Sequence, residues 1–251
     1  VLTVTFAYGM EIVRTFLKPV ILIPLVLAIP FFNYRACTLR DNTFGIDFGM
    51  AHIEQLPRSA LLMTTYWDAY SPIMYLRHVK ETRTDLIVID KELLRRTWYI
   101  KYLAREYPFF FAQVKAPLDA YLEELYKFEY DQPYLPSVIQ SRFIQMLESF
   151  VDARIDEGAY LSTPWLDRDL NAVRPAYKRV PFGLTQRLTR DSTHIPYDFP
   201  RLGIRKPAII NDPRLAYNLE IVRKLLRSNI SHLQDTSPDL VEEARRVLEL
   251  Y

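Results

Sequence analysis

Four side chains in this sequence stand where chemistry is most readily built: Thr65, Trp67, Asp68 and Asp90. Two apolar runs precede them. Residues 60–64 (Ala-Leu-Leu-Met-Thr) and 86–89 (Leu-Ile-Val-Ile) are apolar without alternation, the pattern of strands covered on both faces. In an open α/β sheet, ligands bind beyond the carboxyl ends of parallel strands. Residues 65–70 leave the first strand at that end, and Asp90 closes the second beside it. Thr hydroxyls, an indole face and a carboxylate suit a sugar or a phosphate: Trp67 can stack on a sugar face and Asp68 can accept from hydroxyls. The next helix, expected to start at Ser71-Pro72, adds free N–H groups. A competing reading has Asp68 or Ser71 capping that helix, Tyr66 and Tyr70 packing, and Trp67 buried against Trp98. The loop has no glycine, so its backbone cannot approach a pyrophosphate closely, and a dinucleotide site is disfavoured.

Other constellations point nowhere in particular. His52, His78, His194 and His232 are scattered, without metal-ligand spacing. Ser162 and Ser192 lack a nucleophile-elbow context. Glu123-Glu124 and the acidic residues within 167–169 read as solvated faces or turns. Arg174, Lys178 and Arg179 could meet anionic head groups if their loop faces a membrane, and otherwise form a solvated surface. No cofactor and no metal is expected.

The elements that must position these residues follow from periodicity. Ile73, Leu76 and Val79 recur at helical spacing between the two apolar runs, so strand, helix and strand form a βαβ unit. Helices are expected over 93–107, 118–128, 137–155, 215–228 and 238–250, and strands over 160–163 and 180–188. The fold class is α/β: a small, mostly parallel sheet flanked by helices, with a helical C-terminal end. The 251 residues are 49% hydrophobic, which allows one large core, and the net charge of +2 argues against a nucleic-acid partner. One cysteine, Cys37, excludes an internal disulfide.

The N-terminus has a different character. Residues 1–10 are apolar, Glu11, Arg14 and Lys18 interrupt, and residues 19–32 carry no charge. With its flanks, residues 16–34, the second run as a helix spans roughly 28 Å at about 1.5 Å per residue, near the hydrocarbon thickness of about 30 Å. It reads as a transmembrane helix, against a buried core helix or a signal peptide. Membrane lipid is then a partner. Arg14 and Lys18 favour a cytoplasmic start and an exported C-terminal part. The expected division is a truncated membrane segment over 1–34, a soluble α/β domain over 35–200 and a helical hairpin over 201–251.

An ordered set of short motifs resembles one family. Asn33-Tyr34, Asp47-Phe48-Gly49 and Leu61-Leu62-Met63-Thr64 are followed by Pro72-Ile73-Met74-Tyr75-Leu76, Arg83-Thr84-Asp85-Leu86-Ile87-Val88-Ile89 and Thr97-Trp98-Tyr99-Ile100. The set resembles a bacterial multi-pass membrane family related to the transmembrane protein O-mannosyltransferases, of the GT-C type. The resemblance is good over residues 33–107 and thin beyond. It implies the extracytoplasmic C-terminal domain of a membrane glycosyltransferase, with a lipid-linked sugar and a protein acceptor as partners. Two departures stand out. The family's acidic turn after the first strand is here Thr65-Tyr66-Trp67-Asp68-Ala69, with only Asp68 acidic. The family's catalytic carboxylate lies in an early extracytoplasmic loop, so this stretch by itself is expected to transfer nothing. The alternative is a non-catalytic, membrane-tethered binding or assembly module.

Overall fold

The computed structural model describes residues 19–37, 42–162, 177–191, 195–205 and 212–251. The apolar run 1–10, Arg14, Lys18, Thr163, residues 167–169, Arg174, Ser192 and His194 lie outside the described residues. Two compact units result, Val1–Asn42 and Thr43–Tyr251.

In the first unit the uncharged run coils into α1 (Pro19–Cys37), with Pro24 and Pro30 inside it. The expected membrane span is not found: among the described residues, no helix is long and apolar enough to cross a membrane. The short apolar part of the helix explains the shortfall. The run from Pro19 to Phe32 rises only roughly 21 Å at about 1.5 Å per residue, short of a core of about 30 Å. Asn33, Tyr34 and Arg35 then occupy the helix's final turns.

The second unit opens with α2 (Phe44–Ile53). Strands β1 (Leu61–Thr64) and β2 (Ile87–Asp90) are buried at every position, as apolar runs without alternation require. They are adjacent and parallel, with Leu61 opposite Ile87 and Thr64 opposite Asp90. The helix between them, α3 (Trp67–His78), starts four residues before the expected Ser71 and carries Pro72 within it. Tyr66, still extended at the end of β1, is its N-cap, and neither Asp68 nor Ser71 caps it. Gly49 explains how α2 and α3 approach so closely: a Cβ there would sit 2.8 Å from the Cβ of Pro72.

Two arginines lock this βαβ unit. Arg83 donates to the carbonyls of Ile53, Glu54, Leu56 and Pro57 at 2.5–3.1 Å, closing the open C-terminal end of α2. Asp85 orients it through an ion pair at 3.0 Å. Arg77 is buried and donates to the carbonyls of Arg83 and Leu86 at 2.8 and 2.6 Å. The Arg-x-Asp motif is therefore a structural clamp.

The expected helix over 93–107 is broken. A 3₁₀ turn (Leu93–Arg95) precedes an extended Arg96, and only then does α4 (Thr97–Glu106) begin. Three helices follow, α5 (Pro108–Gln113), α6 (Lys115–Glu129) and α7 (Pro136–Asp152). Strand β3 (Ala159–Ser162) then pairs parallel with the other side of β1.

From here the sheet departs from the expected topology. Residues 180–188 are not one strand but a hairpin, β4 (Lys178–Phe182) and β5 (Thr185–Thr189), antiparallel to each other. Strand β5 also runs antiparallel to β3, giving the order β2-β1-β3-β5-β4. The sheet is mixed rather than mostly parallel. Gly183 makes the reversal possible: it holds φ +57°, a region open mainly to glycine. Pro181, which cannot donate to a ladder, sits on the edge strand, where that is tolerated.

Two helices end the chain, α8 (Pro213–Thr236) and α9 (Val241–Glu249). Both helices belong to the second unit. Asp212 caps α8 by accepting from the Arg214 N–H at 2.8 Å, with Pro213 in the first turn.

Candidate functional site

The carboxyl ends of β1, β2 and β3 share one end of the sheet, and their last residues are all polar and buried: Thr64, Asp90 and Ser162. Lys91 and Thr185, which stands opposite Ser162, join them and are also buried. Five buried polar side chains at one sheet end are unusual, because desolvation disfavours each unless it is bonded. Thr64 is bonded: its hydroxyl oxygen accepts from the Tyr66 N–H at 3.0 Å, turning the chain from β1 into α3. The Lys91 ammonium meets a Glu92 carboxylate oxygen at 2.5 Å. The Ser162 hydroxyl has no partner among the described residues.

The four residues singled out from sequence fall into two classes. Thr65 and Asp68 are half-buried and Asp90 is buried, whereas Trp67 is exposed. Trp67 is not buried against Trp98, since both indoles are more than half exposed. They flank a hydrogen-bonded tyrosine pair instead. Tyr70 and Tyr99 share a bond at 2.9 Å, and the rings of Trp67 and Trp98 lie 5.7 Å from those of Tyr70 and Tyr99 respectively. The Tyr99 oxygen also accepts from the Asp90 N–H at 2.9 Å, so the aromatic shelf is pinned to the end of β2.

Asp68 is occupied. Its carboxylate accepts from Arg214 Nε at 2.9 Å, Asn218 Nδ2 at 3.1 Å and the Tyr66 hydroxyl at 3.1 Å. Tyr66 also hydrogen-bonds the Asn218 carbonyl oxygen. Burial, and then the Asp68 charge, push the Tyr66 phenol well above its ordinary pKa, so it stays a donor. Arg214 and Asn218 stand four residues apart and share one face of α8. Sequence reasoning missed both. Their separation from Asp68 by about 150 positions leaves no local signal beyond the Asp212-Pro213 helix start.

Asp90 is occupied in a different way. One carboxylate oxygen accepts from the Leu93 N–H at 2.9 Å, forming the 3₁₀ turn that breaks the expected helix. Burial raises its pKa, while hydrogen bonds from the Leu93 and Glu92 N–H groups pull the other way. Among the described residues, no group of three or more His, Cys, Asp or Glu side chains could hold a metal ion.

The geometry defines a mixed α/β domain whose parallel strands end in a polar, aromatic-flanked face. Comparison with known proteins adds a relationship. Over 177 residues, 70% of its length, the chain is 26% identical to the protein O-mannosyl-transferase tmem260 of Dictyostelium discoideum. Over 76 residues, 30% of its length, it is 25% identical to the protein O-mannosyl-transferase TMEM260 of Mus musculus. The chain spans only 19% and 11% of the length of these two relatives. It is thus distantly related to the TMEM260 protein O-mannosyltransferases. No protein-family profile and no solved structure matches it.

Proposed function

We propose that this chain is a supporting domain of a protein O-mannosyltransferase-like membrane glycosyltransferase. In this reading it lies on the extracytoplasmic side, the sugar comes from a lipid-linked donor, and the domain holds the protein acceptor. The observation that carries the reading is the similarity over 70% of the chain to an O-mannosyltransferase. Support rather than transfer follows from the carboxylates. A general base needs a free, reachable oxygen; Asp68 already accepts from three donors, and Asp90 is buried in a turn. Trp67, exposed beside Thr65, is the natural contact for a glycan or acceptor surface.

A test uses the chain immobilised on a sensor, a panel of folded secreted domains as acceptors, and mannosyl-phospho-polyprenol in vesicles. Acceptor binding without mannose transfer is expected, weakened about tenfold by Trp67→Ala, the scale of a lost aromatic contact of ~1.4 kcal/mol. Transfer by this chain alone overturns the supporting role. If no acceptor binds, the acceptor-holding reading falls. The second reading, a non-catalytic binding or assembly module, rests on the same occupied carboxylates and then takes its place.

A further inference from the structure

A cavity of about 270 Å³ opens between α6, α7 and the 3₁₀ turn after β2. Tyr121, Phe128, Tyr134 and Phe143 wall it, and its polar lining includes Arg95 and Gln140. Arg95 comes from the 3₁₀ turn that follows β2 and that Asp90 shapes. The volume is at the small end for ligand pockets and suits a single ring rather than a nucleotide or an extended chain.

The lining selects among single rings. A cation is disfavoured, because no carboxylate lines the cavity and the Arg95 guanidinium lies over the Phe143 ring, 4.6 Å from its centroid. An anion gains little, because Glu92 already meets Arg95 at 3.3 Å. A purely apolar ring would bury the Gln140 amide and the Tyr134 hydroxyl without partners. Neither has a hydrogen-bond partner among the described residues, and stranding a polar group on burial is unfavourable. A neutral pyranose resolves the conflict. Its C–H face packs on the aromatic rings while its hydroxyls meet the amide, the phenol and the guanidinium. We infer that this cavity is a binding subsite for one neutral hexopyranose unit of a glycan. The class follows from the lining; only the choice of mannose as first probe rests on the proposed transferase role.

The experiment is saturation-transfer NMR on the whole chain with methyl α-D-mannopyranoside, methyl α-D-glucopyranoside and methyl β-D-galactopyranoside. At least one should show saturation strongest on one C–H face. Gln140→Leu and Tyr134→Ala should each weaken binding about fivefold or more, the scale of one lost hydrogen bond. Both positions are at least partly exposed, and thermal melts confirm that the variants fold. Lys115→Ala, an exposed change on α6, is the control expected to bind as wild type. Absence of saturation with all three sugars overturns the inference. So does saturation that both cavity variants leave intact, or displacement by phenol but by no sugar. Any of these leaves the acceptor-binding role of the Trp67 face untouched, since that is read on the sensor with Trp67→Ala.

Discussion

The two halves of the sheet are built by opposite rules. In the parallel half, β1 and β2 are buried on both faces and held by side chains donating to carbonyls, chiefly Arg77 and Arg83. In the antiparallel half, β4 alternates half-buried Arg179 and Pro181 with buried Val180 and Phe182, and one glycine reverses the chain. Many contacts therefore share the load in the first half, whereas the second concentrates it at Gly183 and Asn229. The Asn229 amide accepts from the Gly183 N–H at 3.1 Å and donates to its carbonyl at 2.9 Å, with all partners buried.

The sharpest way to break this comparison is Gly183→Ala. Its Cβ would collide with the Tyr197 ring on a residue already in the left-handed region. A loss of roughly 3 kcal/mol or more is expected, since overpacking and backbone strain add. Asn229→Leu should approach it by stranding two buried backbone groups at about 1–3 kcal/mol each. Urea unfolding measures both, and a loss under about 1 kcal/mol for Gly183→Ala would show that the turn is not the keystone.

The second prediction concerns pH in the parallel half. His52 is buried against Phe48, its Nδ1–H donates to the Phe48 carbonyl at 2.8 Å, and burial lowers its pKa to about 4. The unfolded chain binds a proton near pH 6.5 that the folded chain refuses until about pH 4. Stability is therefore intact above about pH 6.5 and falls by roughly 3 kcal/mol as pH drops to about 4. His52→Leu should flatten that slope. An unchanged slope would mean that other groups govern acid unfolding.

This contrast also explains what the sequence disclosed. β1 and β2 were readable because burial on both faces writes an uninterrupted apolar run. The hairpin was readable in principle: Lys178-Arg179-Val180-Pro181-Phe182 alternates, and Gly183 follows, but merging 180–188 into one strand hid the turn. The start of α3 was misplaced because Ser-Pro is a strong local signal, and the helix extended upstream with Asp68 in its first turn, where an anion is favoured. Of the four residues read as a site, Thr65 and Asp90 stand at strand ends, while Trp67 and Asp68 lie in the first turn of α3. Their partners were not foreseeable, because Arg214 and Asn218 reach Asp68 through tertiary packing that no local pattern encodes.

A third test probes that tertiary link. Asp68→Ala should cost roughly 1–2 kcal/mol, since the Asn218 amide N–H loses its acceptor and Tyr66 keeps only the Asn218 oxygen. Arg214→Ala should cost under about 1 kcal/mol, because its side chain is 66% exposed and solvent screens the pair. A double-mutant cycle with Asn218→Ala should show coupling at Asp68. Additive losses would mean that the three donors do not act on one carboxylate.

The smallest expected effect carries the cleanest sign. Asp90 and Asp68 both end strand–helix connections, yet the first is buried against backbone N–H groups and the second faces a cation. Burial raises the Asp90 pKa, so the folded chain holds that proton to higher pH than the unfolded chain, which releases it near pH 3.9. The ionised carboxylate thus subtracts stability progressively as pH rises from about 4 through its folded value. Asp90→Asn keeps a carbonyl oxygen for the Leu93 N–H and removes the buried charge. At pH 7 it should be as stable as wild type or slightly more so, and at pH 3 indistinguishable. Asp68→Asn should go the other way at pH 7, since it surrenders the charge that Arg214 and Asn218 address. A clear destabilisation by Asp90→Asn at pH 7 would show instead that the Asp90 charge itself is in use. The buried Lys91 beside it would then be the first residue to substitute.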